Sequence, residues 1–463
     1  MSTSSVFSLD NPIHVHFIGI GGISMSGIAE LLCERGFKVS GSDNAESPLT
    51  RALSQKGADI SIGQSADNIN SSINLVVYTA AIRPDNPELS AACSAGIPTM
   101  TRAELLGLIM KSYKTPIAVS GTHGKTTTTS MISEMLLACD TDPTLSIGGI
   151  LKEIGGNFRV GNSDLFVTEA CEYTNSFLSF FPKISIILNV EADHLDFFKD
   201  IDDIRSSFHK FALLLPKDGA LIINGEIPQL DAITASLPCQ ILTFGRGEHN
   251  DYYPGDITYD EFAHASFTLH RKNLPDLSVQ LKVPGEHNIL NAIAAIMVSD
   301  LLNLKAEDYL KALAEFRGTE RRFEYKGKIS GITIIDDYAH HPTEIEASLK
   351  AALKVPHREV WCIFQPHTYT RTKSFLAEFA QALSLADHVI LAEIYAAREK
   401  DTLGISSLTL LDKIKENGTD CYYFPTFSEI EEFALKNCQE GDLLITMGAG
   451  NVVKIGEELL SQK

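Results

Sequence analysis

The chain has 463 residues, 44% of them hydrophobic and 21% charged, a balance that excludes a disordered or fibrous protein. At roughly 150 residues per domain the length suggests about three cores. Its 39 basic against 59 acidic side chains give a formal net charge of −20, which leaves no broad basic surface for nucleic acid or an anionic membrane.

The amino terminus lacks a basic segment followed by an apolar core, and no window approaches ~18 uninterrupted apolar residues, so a cytoplasmic protein without membrane insertion is expected. Strand, glycine loop, helix and strand follow in "HVHFIGIGG", "SMSGIAELLCERG" and "FKVSGSD". "INLVVYTAAI" adds a strand, and "NPELSAACSAG" and "TRAELLGLIMKS" read as covering helices. Gly19, Gly21 and Gly22 lie where a pyrophosphate approaches a helix N-terminus, and Asp43 ends the second strand at the distance of a ribose contact. A dinucleotide, a nucleotide diphosphate and a plain tight turn all fit these residues.

The polar connector "KSYKTP" sets the first boundary, giving an expected amino-terminal Rossmann-like domain over 1–114. The strand "IAVS" then runs through "GTHGK" into the helical "TTTTSMISEMLLA". Gly121, Gly124, Lys125 and Thr126 match a phosphate loop, although the long form of the motif would have glycine in place of Val119. In such a loop backbone N–H groups cradle the phosphates, lysine reaches the β and γ groups, and the Thr126 hydroxyl touches Mg²⁺.

Further apolar runs, "DLFVTEA", "ISIILNV", "GALIING" and "QILTFG", and a long amphipathic segment "EHNILNAIAAIMVSDLL" make the region 115–318 a second α/β unit. Glu169 and, with Asp193, His194 follow two of these strands, where ligands of a parallel sheet converge. An oxygen and an imidazole there suit Mg²⁺ beside phosphates, with Mn²⁺ the alternative that the imidazole admits, and a helix cap or a structural histidine the plainer reading. His287, Asn288 and Asn291 share one face of a helix start, as base or ribose contacts or as caps.

"FRGTERRFEYKG" interrupts the pattern, and strands "GITIIDDYA", "REVWCIFQP", "DHVILAEI", "DCYYFP" and "DLLITMGAG" form a third unit over 319–463. Arg321 and Arg322 read equally as a solvated pair or as a phosphoryl contact. "DDYAHHP" and "QPHTYTR" place polar clusters at two strand ends. The eight cysteines include no C-x-x-C pair and read as reduced thiols.

Together "HFIGIGGISMSGIAE", "SGTHGKTTTT", "EACEYTNSFL", "NVEADHLDFF", "GEHNILNA", "GTERRFE", "DDYAHHPTEI" and "FQPHTYTRT" resemble the Mur ligases over almost the whole chain, and within them the branch that adds alanine. The resemblance implies three α/β domains: an amino-terminal Rossmann-like domain for the UDP-sugar, a central ATP-binding domain with the shorter GTxGK[ST] loop, and a carboxy-terminal Rossmann-like domain for the amino acid. It implies ATP binding by Gly121, Thr122, Gly124, Lys125, Thr126, Thr127, Asn288, Asn291, Arg322 and Asp337, and Mg²⁺ binding by Thr126, Glu169 and His194. Substrate contacts fall on Gly21, Gly22, Asp43, His123, Glu172, Tyr338, His340, His367 and Arg371, with His123 on the muramyl-nucleotide side. Lys125, His194, Arg322 and His340 would carry catalysis.

The implied reaction is a cytoplasmic step of peptidoglycan synthesis. ATP phosphorylates the lactyl carboxylate of UDP-N-acetylmuramate, and L-alanine attacks the acyl phosphate, with His194 or His340 as base for the amine. The enzyme would act as monomer or homodimer and close its domains on binding. The alternative is a sister ligase that attaches a preformed peptide in cell-wall recycling. The chain departs from the family's pattern twice. Phe208 stands where later-acting siblings carry a carbamylated lysine, and Thr368 stands where many alanine-adding members have arginine.

Overall fold

The computed structural model describes residues 7–79, 81–397 and 399–461, so the first six residues of the amino-terminal stretch considered above lie outside it. Three sheets follow one another along the chain, spanning His14 to Thr101, Thr115 to Pro284 and Glu324 to Met447. The architecture is α/β with mainly parallel strands, as the alternation of apolar runs with helical spacing implies.

The first sheet has five parallel strands in the order Asp59–Ile62, Lys38–Asp43, His14–Ile18, Leu75–Tyr78, Thr99–Thr101. Its middle strand buries all five side chains, and the chain leaves it through the glycine loop into the helix Ile23–Glu34. The two edge strands have no apolar run of their own and are invisible to periodicity. They exist because Leu75–Tyr78 and Lys38–Asp43 leave edges to be paired.

The centre of the second sheet is parallel, with Thr115–Ser120 between Ile184–Ile187 and Leu165–Glu169. Beyond Gln240–Phe244 the sheet continues as three strands, Tyr252–Tyr259, His264–Arg271 and Leu274–Pro284, paired antiparallel to one another. Ala265, Phe267, Leu269, Val279, Leu281 and Val283 point inward and their neighbours outward, which keeps each run too short in apolar residues to stand out in the sequence. The helix His287–Leu301, expected to be amphipathic, is buried on nearly every side from Asn288 to Ser299, because it lies between this sheet and the helix Lys125–Ala138.

The third sheet has the order Glu324–Ile329, Ile332–Asp337, Leu443–Met447, Val360–Phe364, His388–Leu391, Asp420–Tyr423, and only its first strand is antiparallel. That strand begins inside the segment read as an interruption. Among the described residues no helix is long and apolar enough to cross a membrane.

The first two units meet through glycines on two helices. A Cβ on Gly27 would stand 2.5 Å from the Phe158 ring, and one on Gly107 would stand 1.9 Å from the Ser179 carbonyl oxygen. Side chains there would hold the helices apart. Gly107→Ala is therefore expected to cost about 1–3 kcal/mol by overpacking, read as a lower midpoint in chemical denaturation.

Candidate active site

The central strand Thr115–Ser120 delivers the phosphate loop. Val119 is fully buried within that strand, in register with Ile186 and Glu169, so it belongs to the sheet and the loop begins two residues later. Gly124 has φ 82° and caps the helix Lys125–Ala138; a Cβ there would sit 2.7 Å from Asn291 Oδ1. Both the left-handed backbone and the close approach require glycine. Asn189 clamps the loop from the next strand end: its Oδ1 accepts from the His123 amide at 2.7 Å and its Nδ2 donates to the His123 carbonyl at 3.1 Å.

The Lys125 ammonium donates to the carbonyls of Gly121 (2.5 Å) and Thr122 (3.0 Å) and to Glu172 Oε2 (3.1 Å). Burial works against its charge, but Glu172 outweighs it and raises the lysine pKa. Glu172, expected among the substrate contacts, is 2% exposed, and its carboxylate is committed to Lys125. Its other oxygen lies 3.7 Å from His194 Nε2, and the His194 ring stacks on Tyr173 at 4.5 Å between centroids. Burial lowers the His194 pKa despite Asp193 and Glu172, which keeps the ring neutral and able to act as a ligand. Glu169 ends its strand one position from the loop's own strand and accepts from the Gly148 amide at 2.6 Å.

A cavity of about 280 Å³ opens beside the loop. His123, Gly124 and Thr127 line it on one side, Asn288 and Asn291 on another, and Arg322, Asp337 and Glu344 from the third unit close it. Asn291 Nδ2 donates to Asn288 Oδ1 at 3.0 Å, and Asn288 Nδ2 donates to the Pro284 carbonyl at 2.7 Å, so the two amides hold each other in place. Asp337 accepts from Ser348 and Ala339, and burial pushes its pKa up to about 6. The two adjacent arginines part company: Arg321 binds Asp336 and the carbonyls of Gly448 and Gly450 inside the third unit, whereas Arg322 faces the cavity.

A second cavity, of about 450 Å³, lies between Tyr173, Asp193 and His194 of the central unit and Tyr338, His340, His367 and Arg371 of the third. Arg371 bridges the two units by donating to Asp193 Oδ1 at 3.0 Å, and its other nitrogen lies 3.0 Å from His367 Nδ1. In the first unit the Gly21 amide donates to Asp43 Oδ2 at 2.8 Å, so Asp43 fixes the shape of the glycine loop, and Arg102 donates to Ser24 Oγ from the same end of the sheet.

Three consecutive segments match known family models: residues 14–114 the Mur ligase family catalytic domain, 119–299 the Mur ligase middle domain, and 321–450 the Mur ligase glutamate ligase domain. The chain belongs to the Mur ligase family. It is 61% identical to a UDP-N-acetylmuramate–L-alanine ligase of Agathobacter rectalis over 97% of this chain and 98% of the relative, and 57% identical to one of Lachnospira eligens with the same coverage. The crystal structure of the UDP-N-acetylmuramate–alanine ligase from Thermotoga maritima superposes with a TM-score of 0.81 at 32% identity, covering 97% of this chain and 99% of that one. A murein peptide ligase from Psychrobacter arcticus gives 0.72 at 25% identity, covering 97% and 98%.

In this Mur ligase Gly124, Thr127, Asn288, Asn291, Arg322 and Asp337 line the first cavity and His194, Tyr338, His340, His367 and Arg371 the second, whereas Lys125, Thr126, Glu169 and Glu172 line neither and Gly21, Gly22 and Asp43 lie on a separate loop. His123, expected on the muramyl-nucleotide side, lines the cavity beside the phosphate loop and lies in a different unit from Gly21, Gly22 and Asp43. Phe208 is fully buried against Phe177, far from any role as a bridging charge. Asn189 and Glu344 were missed. Asn189 directly follows an apolar run at a strand's carboxyl end, the same signal that singled out Glu169; Glu344 sits on a helix and has none.

Burial lowers the His340 pKa to about 4 against the opposing Glu344 charge, and burial together with His340 and Arg371 lowers His367 to about 4. Both rings stay neutral in the fold but take up protons below about 6.5 in the unfolded chain. The unfolded state then binds more protons, so this contribution to stability is complete above about 6.5 and is lost as pH falls toward about 4. Thermal unfolding should shift to lower temperature across that window, and His367→Gln should flatten the slope.

Proposed function

We propose that this Mur ligase is the alanine-adding enzyme, joining L-alanine to the lactyl carboxylate of UDP-N-acetylmuramate with ATP as the phosphoryl donor. One observation carries the mechanism: Lys125 reaches through Glu172 to His194, which lines the cavity shared with His340, His367 and Arg371. The phosphate loop and an amino-acid pocket thus adjoin a single reaction space. The identities to alanine-adding relatives exceed that to the murein peptide ligase, so the recycling alternative is not favoured.

The three units take the boundaries 1–114, 115–318 and 319–463 in this reading, with the sugar nucleotide on the Gly21–Gly22 loop, ATP in the cavity of Asn288 and Asn291, and alanine beside His367 and Arg371. Thr126, Glu169 and the neutral His194 offer a hydroxyl, a carboxylate and an imidazole, a donor set that fits Mg²⁺ beside phosphates, with Mn²⁺ as alternative. Bound there, the ion would neutralise phosphate charge.

The residues of the chain supply position and charge. Gly124 and Thr127 present backbone N–H groups to the phosphates, and Lys125 and Arg322 balance charge on the phosphoryl group as it moves to the lactyl oxygen. Phosphorylation turns that oxygen into a leaving group. The amine of alanine, held near Arg371, attacks the carbonyl and phosphate departs. His340 places its Nδ1 3.0 Å from the carbonyl of Tyr338, two residues earlier, which leaves Nε2 as the proton acceptor. A ring with pKa about 4 is a weak base, and it accepts the proton once C–N bond formation has made that nitrogen acidic. A cytoplasmic enzyme follows from the substrates.

Phosphate release from ATP should require both UDP-N-acetylmuramate and L-alanine; release that ignores the amino acid would refute the ligase reading. Lys125→Ala should lower kcat by at least about 10²-fold while calorimetry still detects sugar-nucleotide binding.

A further inference from the structure

The geometry points to a binding site for a divalent transition-metal ion formed by His123, Glu191 and His341, which bridges the central and third units and is separate from the Thr126–Glu169–His194 set. One donor atom from each of the three side chains lies within 4.8 Å of the other two, the only such trio of His, Cys, Asp or Glu among the described residues. His123 Nε2 is buried, makes no hydrogen bond, and stands 3.5 Å from Glu191 Oε2.

The outer contacts are those that metal-binding histidines use. His123 turns its other nitrogen to Glu344 Oε1 at 3.2 Å, the carboxylate–histidine arrangement that orients a ring and raises its basicity. His341 places Nε2 3.2 Å from the Ala192 carbonyl, which fixes the hydrogen there and leaves the Nδ1 lone pair with a single long contact, 3.4 Å, from the Thr343 amide. Glu191 is steadied by the Thr343 hydroxyl at 2.8 Å. Two imidazoles and one carboxylate select Zn²⁺, Co²⁺ or Ni²⁺ over Mg²⁺. A few tenths of an ångström to about one ångström of side-chain movement would bring the donors to metal–ligand distances of about 2.0–2.2 Å. His123 belongs to the phosphate loop and His341 caps the helix Pro342–Ala352, so an ion here would brace the loop against the third unit.

The competing account is an ion pair: Glu344 and Glu191, against the cost of burial, raise His123 to about 9, and the protonated ring alone satisfies both acids. Zinc binding to the full-length protein separates the two. Equilibrium dialysis without nucleotide, read by elemental analysis, should show about one equivalent fewer in His341→Ala and in Glu191→Gln than in the wild type. A distinct equivalent should be lost in His194→Ala. Cobalt should give a visible absorption band in the wild type that His341→Ala abolishes. Unchanged zinc stoichiometry and affinity in both variants would overturn the proposal, and Glu191→Gln decides it should the His341 variant misfold by circular dichroism.

Discussion

The ammonium of Lys125, held between two carbonyls of its own loop and the carboxylate of Glu172, is the constraint around which the rest of the site is arranged. A part-buried cation needs a partner, and that partner must come from a neighbouring segment because the loop itself carries no acid. Supplying Glu172 fixes the path of the chain after the strand Leu165–Glu169, and that path sets Tyr173 against His194. One charge requirement thus connects the phosphate loop to the wall of the second cavity.

The two inter-unit contacts differ in kind. The first unit packs on the second through glycines set against Phe158 and the Ser179 backbone, a close fit with no room to slide. The second and third units meet through polar groups: Arg371 with Asp193, Thr343 with Glu191, His341 with the Ala192 carbonyl, and His123 with Glu344. Polar contacts exchange readily for water and ligand, which suits an interface where ATP and an amino acid would enter. Both cavities lie at this polar junction, and neither belongs to one unit alone.

Motifs that combine a backbone demand with a chemical one were legible in the sequence. The phosphate loop is the clearest case, since Gly124 is required by its φ and by Asn291 while Lys125 follows directly. Glu169 ends its strand as the parallel pattern implies, and His194 lies in the loop that follows the strand Ile184–Ile187. The two edge strands of the first sheet and the three antiparallel strands that end at Pro284 were not legible, since their apolar residues alternate or are few and only a neighbouring strand makes them strands. The mutual pairing of Asn288 and Asn291, the split between Arg321 and Arg322, and the commitment of Glu172 to lysine each depend on partners more than a dozen residues away or on a helix's orientation.

By itself, the sequence determined the α/β alternation, the three successive units, the family, and the identity of most groups at the strand ends, because each depends on local periodicity or on a short contiguous motif. Tertiary structure alone decided which acid neutralises Lys125, which arginine faces the cavity beside the phosphate loop, and that His123 meets Glu191, Glu344 and His341. Those outcomes are set by distance and burial between segments far apart in the chain, and pairing energies of that kind leave no period or spacing for a sequence to display.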